Sequence, residues 1–254
     1  MTDRLVGKTA LVTGATSGLG RAIAVAYAAE GAQVAVAGRD ARRGAAVVEQ
    51  IRAAGGSATF VPADLGAPTS TGARQLATAA AEALGGHVDI LVNNAGVYPS
   101  PATANTDDAV FDRIIAVNVR APFFLVAELA PRMARRGGGA IVNIGSWVSQ
   151  VGLPAGVLYS ASKATIEQLT RGWAAEYGPS GVRVNAIAPG VIATEGNAAH
   201  HDALEPMISG FPARRLGRPE EIAQAAVYLA SEEAAFAHGS TLLVDGGALT
   251  TRPM

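Results

Sequence analysis

Cysteine is absent from the 254 residues, which excludes disulfide scaffolds, thiolate nucleophiles, zinc fingers and iron–sulfur clusters together and allows a reducing compartment. Charge is scarce as well. Asp, Glu, Lys and Arg make up 16% of the chain, against roughly 25% in an ordinary soluble protein. With 20 basic and 21 acidic residues the net charge is −1, so there is no cationic surplus for a nucleic-acid backbone or an anionic membrane surface, both of which need clustered Lys and Arg. No run of roughly 18 or more apolar residues stands ready to span a bilayer, and residues 1–8 lack the long apolar stretch of a secretion signal. The expectation is a cytoplasmic protein with neither nucleic-acid nor membrane partners.

Glycine, by contrast, is abundant, at 30 of 254 residues against a usual ~7%, and its placement is informative. Short β-branched runs at 9–13, 33–37, 58–62, 90–93, 140–144, 182–187 and 241–244 alternate with stretches of helical apolar spacing. Those helices should begin near Gly18, Ala41, Ser70, Asp107, Val157 and Pro219. Strands that are apolar on both faces and alternate with helices predict a parallel sheet covered on both sides, because parallel neighbours need a crossover helix. The expected fold is α/β: a single doubly wound Rossmann-type domain over residues 1–254, with a seven-stranded parallel sheet and helices on both faces. Only 195–218 breaks the rhythm. A connection of that length predicts a substrate lid.

In an open parallel sheet, ligands bind at the carboxyl ends of the strands. The first strand runs into Thr13-Gly14-Ala15-Thr16-Ser17-Gly18-Leu19-Gly20. Glycines there permit a tight turn and let backbone N–H groups approach a pyrophosphate at the positive end of the next helix; a turn that only packs strand on helix is the alternative. The second strand ends in Gly38-Arg39-Asp40. An acidic residue at that end selects NAD by binding the ribose hydroxyls, whereas arginine accommodates a ribose phosphate. Arg39 therefore favours NADP(H), with NAD(H) kept as the alternative through Asp40. The later strands end in Asp64-Leu65, Asn93-Asn94-Ala95-Gly96, Gly145-Ser146 and Pro189-Gly190, each of them small or polar after an apolar run.

Tyr159 and Lys163 stand four apart at the start of a helix, so both can project from one face. A phenol near pKa 10 is a poor acid or base at neutral pH, and a nearby ammonium would lower that value by favouring phenolate. Ser146, thirteen residues earlier at the mouth of the fifth strand, could hold a carbonyl oxygen for protonation.

Taken together, these residues resemble the short-chain dehydrogenase/reductase family over nearly the whole chain, and among its members the 3-oxoacyl-carrier-protein reductases and related ketoreductases. Gly14, Thr16, Ser17, Gly18, Leu19 and Gly20 are similar to its cofactor loop, Asp64 with Leu65 to its adenine-contacting segment, and Asn94, Ala95 and Gly96 to its central-strand motif. Asn118, Ser146, Tyr159 and Lys163 match its catalytic tetrad, and Pro189, Gly190, Ile192 and Thr194 fall in the segment beside the nicotinamide. The resemblance implies Tyr159 as general acid in reduction and base in oxidation, and Ser146 as the group polarising the substrate oxygen. It implies further that Lys163 binds the nicotinamide ribose and depresses the Tyr159 pKa, while Asn118 holds a relay water. No metal is implied, and a homotetramer is. Many NADP-using members carry a basic residue where this chain has Ser17, so the cofactor preference leans on Arg39.

Two readings compete with an NADP(H)-dependent ketone reductase: an NAD-dependent alcohol, sugar or steroid dehydrogenase, and a non-catalytic dinucleotide-binding sensor. Ser160-Ala161-Ser162-Lys163 spells a Ser-x-x-Lys hydrolase motif, but its companion motifs are missing. His200 and His201, with Asp202 and Glu205, belong to the lid instead of a metal site. Tyr98, Trp147, Val151, Leu153, Ile192 and the lid through Phe211 are expected to line the pocket for a small-molecule carbonyl or alcohol. Arg214, Arg215 and Arg218 could supply a basic entrance for an acyl-carrier-protein substrate.

Overall fold

The computed structural model describes residues 3–154, 156–198 and 201–251. Seven strands form one sheet: β1 (Thr9–Thr13), β2 (Gln33–Gly38), β3 (Ser57–Pro62), β4 (Ile90–Asn93), β5 (Gly139–Ile144), β6 (Val182–Pro189) and β7 (Thr241–Val244). Their order is β3-β2-β1-β4-β5-β6-β7, every pair is parallel, and the expected seven-stranded Rossmann-type sheet is present. β1 and β4 are buried at every position, as strands covered on both faces must be. The winding reverses between them, which opens a crevice at their carboxyl ends.

The helices are α1 (Gly18–Ala29), α2 (Ala41–Ala53), α3 (Thr71–Ala83), α4 (Asp108–Ile115), α5 (Ala121–Arg135), α6 (Val157–Tyr177), α7 (His201–Ile208) and α8 (Pro219–Ala230). Ile23 and Tyr27 of α1, Val47 and Ile51 of α2, and Ile222 and Val227 of α8 pack on one face of the sheet. Leu76 of α3, Leu125 and Leu129 of α5, and Trp173 of α6 pack on the other. The helix expected from Asp107 starts there, with the Asp107 carboxylate capping Val110 N at 2.8 Å. It is interrupted by a π turn, Ala116–Arg120, that separates α4 from α5. Among the described residues the 108–135 rod alone has the length and hydropathy to cross a membrane, and 56% of its most apolar stretch is buried inside the protein.

Under the carboxyl edge runs a buried polar chain. Asn93 Nδ2 donates to Asn143 Oδ1 at 2.8 Å, Asn143 Nδ2 donates to Thr170 Oγ1 at 2.8 Å, and Thr170 Oγ1 donates to Ile166 O at 2.8 Å. It ties β4, β5 and α6 in one register, since a buried amide without partners costs ~1–3 kcal/mol. The 195–218 segment is not a bare loop. Its two ends are joined by Ala193 N to Gly217 O and Gly217 N to Val191 O, both 2.9 Å, and it contains α7, which the apolar spacing did not reveal.

Candidate active site

The glycine loop after β1 is built against the end of β4. Thr13 Oγ1 accepts from Asn94 N and Ala95 N, both at 3.0 Å, and Asn94 Nδ2 donates to Thr13 O at 2.8 Å. Gly14 has φ +63, and a Cβ there would stand 2.9 Å from Ala95 Cα. A Cβ on Gly20 would run into Gly14 O and Asn94 Nδ2. These two glycines let the first turn of α1 approach the strand ends with its N–H groups facing the crevice. Ser17 precedes α1 without spending its hydroxyl on a cap. A cleft of about 770 Å³ lies above, inside the ~300–1,000 Å³ range of small-molecule sites. A cradle that side chains would fill, at the positive end of a helix, fits a dinucleotide pyrophosphate.

At the lid side, Glu195 Oε2 accepts from Gly18 N at 3.2 Å and its Oε1 pairs with Arg21 at 2.8 Å. An acidic side chain of the lid thus already uses the anion-binding end of α1. At the end of β2, Arg39 is exposed on the cleft wall. Asp40 is turned away to cap α2, accepting from Arg43 N at 2.9 Å and Arg43 Nε at 2.8 Å. Those bonds, the backbone one above all, hold the Asp40 carboxyl below its usual range. Asp64 also lines the cleft and closes its own turn, with Oδ1 accepting from Gly66 N at 2.9 Å.

The reacting end lies where β5, the π turn and α6 converge. Ser146 leads the turn after β5, is 8% exposed, and its hydroxyl lies beside the Tyr159 phenol. Tyr159 borders the cleft one turn ahead of Lys163, whose Nζ lies 5.9 Å from the phenol ring centre. Tyr98 meets the same ring edge-on at 6.5 Å. Lys163 is buried, and Nζ donates to Ile144 O at 2.8 Å. Burial lowers its pKa to about 8, with the Glu167 carboxylate pulling it back up. Asn118, in the middle of the π turn, has both amide hydrogens engaged and one of the two acceptor sites of its oxygen. Its Oδ1 accepts from Val97 N at 2.9 Å, and its Nδ2 donates to Val97 O at 2.9 Å and Ser162 Oγ at 3.0 Å. A π turn swings one side chain off the regular helix face, a feature often found at functional sites. A Cβ on Gly96 would sit 3.5 Å from Lys163 Nζ and 3.6 Å from Asn118 Oδ1, so glycine there keeps a side chain out from between them.

The cleft brings together Gly14, Thr16, Ser17, Gly18, Leu19, Gly20, Arg39, Asp64, Leu65, Asn94, Ala95, Gly96, Ser146, Tyr159, Lys163, Pro189, Gly190, Ile192 and Thr194. Asn118 stands one layer behind its wall. The expected lowering of the Tyr159 pKa by Lys163 is reversed: burial raises the phenol, the Ser146 hydroxyl opposes this, and Tyr98 adds to it. The ammonium is spent on Ile144 O instead of the phenol oxygen. In the substrate region Tyr98, Trp147, Leu153 and Ile192 line the cleft with Leu204 and Met207 of α7, whereas Val151 and Phe211 do not. Phe211 borders a smaller neighbouring pocket and packs against Trp147 at 5.8 Å. Arg215 pairs with Glu221 at 2.6 Å and Arg218 with the same carboxylate at 3.5 Å, which spends much of the basic entrance. His200 lies outside the described residues, as do the side chains of His201 and Asp202; among the described residues no His, Cys, Asp and Glu cluster could hold a metal. The sequence reading missed Asn197, whose Oδ1 accepts from Thr194 N at 2.9 Å and whose Nδ2 donates to Ile192 O at 2.8 Å. It also missed Ser162 and Glu167. Asn197 follows Thr194 by three, a spacing that could have flagged a turn bond.

Fold and site together define a dinucleotide-dependent oxidoreductase. The family model described as enoyl-(acyl carrier protein) reductase matches residues 14–249. The chain is 41% identical over 249 residues to D-threitol dehydrogenase of Mycolicibacterium smegmatis, covering 96% of this chain and 94% of that one. A solved short chain dehydrogenase/reductase family protein is 46% identical with TM-score 0.89, covering 98% of this chain and 100% of its own. The structure of 7α-hydroxysteroid dehydrogenase complexed with NADH and 7-oxo glycochenodeoxycholic acid is 36% identical with TM-score 0.92, covering 99% and 98%. The protein belongs to the short-chain dehydrogenase/reductase family and is an NAD(P)(H)-binding oxidoreductase acting on CH–OH groups. The alternative of a non-catalytic sensor finds no support among these relatives.

Proposed function

We propose that the protein is an NADP(H)-dependent oxidoreductase that reduces a ketone to a secondary alcohol, or runs the reverse reaction, with Tyr159 as general acid and base. The observation that carries this reading is the Tyr159 phenol at the wall of the cleft, with Ser146 and buried Lys163 beside it. Bound nicotinamide supplies a hydride in reduction and accepts one in oxidation. Ser146 orients the substrate oxygen by hydrogen bonding, and the Tyr159 hydroxyl delivers a proton to that oxygen. Because burial raises its pKa, the phenol is fully protonated at neutral pH, the form needed for reduction. Lys163 Nζ and Asn118 Oδ1 flank the opening over Gly96, where a water between them would return protons to the site. Gly14, Ser17, Gly18 and Leu19 would hold the pyrophosphate, Asp64 and Leu65 the adenine end, and Ile192 and Thr194 the nicotinamide.

NADP(H) is favoured by Arg39 on the cleft wall and by the Asp40 carboxylate being engaged with α2. An NAD-dependent alcohol, sugar or steroid dehydrogenase is the second reading, since the similar 7α-hydroxysteroid dehydrogenase was solved with NADH. A neutral small-molecule substrate suits the Tyr98, Trp147, Leu153 and Met207 walls better than a carrier protein, given the Glu221 pairing of Arg215 and Arg218. Two separate apolar faces support a homotetramer: Phe111, Phe123 and Val157 are 44–49% exposed on α4, α5 and α6, and Tyr228, Phe236 and Leu242 are exposed near α8 and β7. Closed dihedral tetramers need two such self-complementary patches. A cysteine-free chain suits the cytoplasm.

The test is Tyr159→Phe. Turnover is expected to fall by ~10² to 10⁴, the usual worth of acid–base catalysis, with the NADPH Kd within about threefold of wild type. Near-wild-type activity in the Phe variant refutes the assignment.

A further inference from the structure

Glu167 is 5% exposed on α6, one helical turn beyond Lys163, and the mechanism above gives it no task. A carboxylate that deep in an apolar layer is costly unless its partners are fixed. Its partners are on the loop that carries Ser146. Glu167 Oε1 accepts from Ser149 Oγ at 2.5 Å, and Oε2 accepts from Gln150 Nε2 at 3.3 Å. Ser149 Oγ lies also 2.7 Å from the Ser146 carbonyl oxygen, so its single proton is shared between the backbone of Ser146 and the carboxylate. Gly145 makes the approach feasible, since a Cβ there would stand 3.0 Å from Oε1. Four residues earlier on the same helix, Lys163 Nζ grips Ile144 O at 2.8 Å. Helix α6 therefore holds the 144–150 segment at two points, one on each side of Ser146.

The charge of Glu167 also acts on Lys163. The groups facing Nζ are Tyr159 and Glu167 from its own helix, Asn118 from the π turn, the Ile144 carbonyl from β5, and, beyond Tyr159, Tyr98. Among the described residues Glu167 is the charged group that acts on it, raising a pKa that burial lowers.

We propose that Glu167 is a positioning residue for proton transfer, which fixes the Ser146 loop through Ser149 and Gln150 and serves as counter-charge to the Lys163 ammonium. This rests on the Tyr159–Lys163 reading above. It assigns two separable effects to one side chain: the geometry of Ser146, carried by hydrogen bonds, and the protonation of Lys163, carried by charge.

The chain has two lysines, Lys8 and Lys163, so isotope-labelled lysine side chains give two NMR titrations, with Lys8→Arg assigning the remaining signal. In Glu167→Gln the Lys163 midpoint is expected to fall by about one pH unit, the effect of losing one nearby opposite charge, and kcat to fall about tenfold to a hundredfold, as a displaced catalytic group costs. The NADPH Kd should stay within about threefold. Ser149→Ala, which removes the hydroxyl and leaves the carboxylate, should lower kcat without moving the Lys163 midpoint. Glu167→Asp should keep that midpoint near wild type. Should Glu167→Gln fail to fold, the Ser149→Ala and Glu167→Asp pair carries the test. An unmoved Lys163 midpoint in Glu167→Gln, or wild-type kcat in Ser149→Ala, overturns the proposal. The titration needs neither substrate nor turnover. It therefore reads Glu167 independently of Tyr159→Phe, whose full activity would overturn the underlying reading instead.

Discussion

Arg39→Leu is the sharpest probe of cofactor choice. Arg39 lies between the last residue of β2 and the Asp40 cap of α2, exposed on the cleft wall, so its removal leaves both elements standing. A guanidinium–phosphate pair is charge-assisted and often bidentate, and hydrogen bonds to charged groups are worth ~1.5–3 kcal/mol. Solvent exposure puts the expected loss near the lower end, about 1.5–2 kcal/mol, or roughly 10- to 30-fold in kcat/KM for NADPH. NADH lacks the phosphate and should change less than about threefold. Initial rates with both reduced cofactors on one accepted ketone, at low and high salt, measure the ratio. A wild type that prefers NADH, or a variant in which both cofactors lose equally, refutes the role of Arg39. Reversal toward NADH needs more than one change. A Cβ on Gly38 would lie 2.6 Å from Thr16 Cγ2, so Gly38→Asp with Arg39→Leu should bind both cofactors poorly until Thr16→Ala clears the space. Asp40 will not substitute for that carboxylate while Arg43 holds it on the α2 cap.

Gly20→Ala should destabilise the protein by ~1–3 kcal/mol through overpacking against Gly14 O and Asn94, and weaken NADPH binding along with it; an unchanged urea midpoint counts against the cradle. Glu195→Gln removes a negative charge from Gly18 N and Arg21, so the NADPH Kd should fall severalfold by fluorescence titration, and a weaker Kd contradicts the competition. The depressed Lys163 pKa, 10.5 to about 8, means that the unfolded chain holds a proton the fold has released between those values. Stability relative to Lys163→Met should therefore rise by up to about 3 kcal/mol as pH climbs through that window, measured as paired urea midpoints; a flat difference refutes it. Light scattering at micromolar concentration should give a tetramer mass, and a monomer mass rules out the paired apolar faces.

Much of this protein could be read from local spacing. The β-branched runs and helical periods mark seven strands and most of the helices, because strand and helix periodicities are set by nearest neighbours along the chain. Gly14, Gly18 and Gly20 stand out as a loop that only glycine can turn, and Tyr159 and Lys163 as one helix face. What escaped lies between segments far apart in sequence. Asn118 engages Val97 and Ser162, 21 and 44 residues away, Glu167 engages Ser149, 18 residues away, and Asn94 clamps Thr13 across 81. Such partners are chosen by the parallel crossovers that bring strand ends to one edge. Even the sense of the Tyr159 shift was decided there. The four-residue spacing brings Lys163 near the phenol, but the fold directs Nζ to Ile144 O and surrounds the ring, so burial sets the sense of the shift. The sequence alone determined which residues could do the chemistry; the tertiary structure decided which atoms face one another and which charges are buried, because both depend on packing between layers that no local pattern encodes.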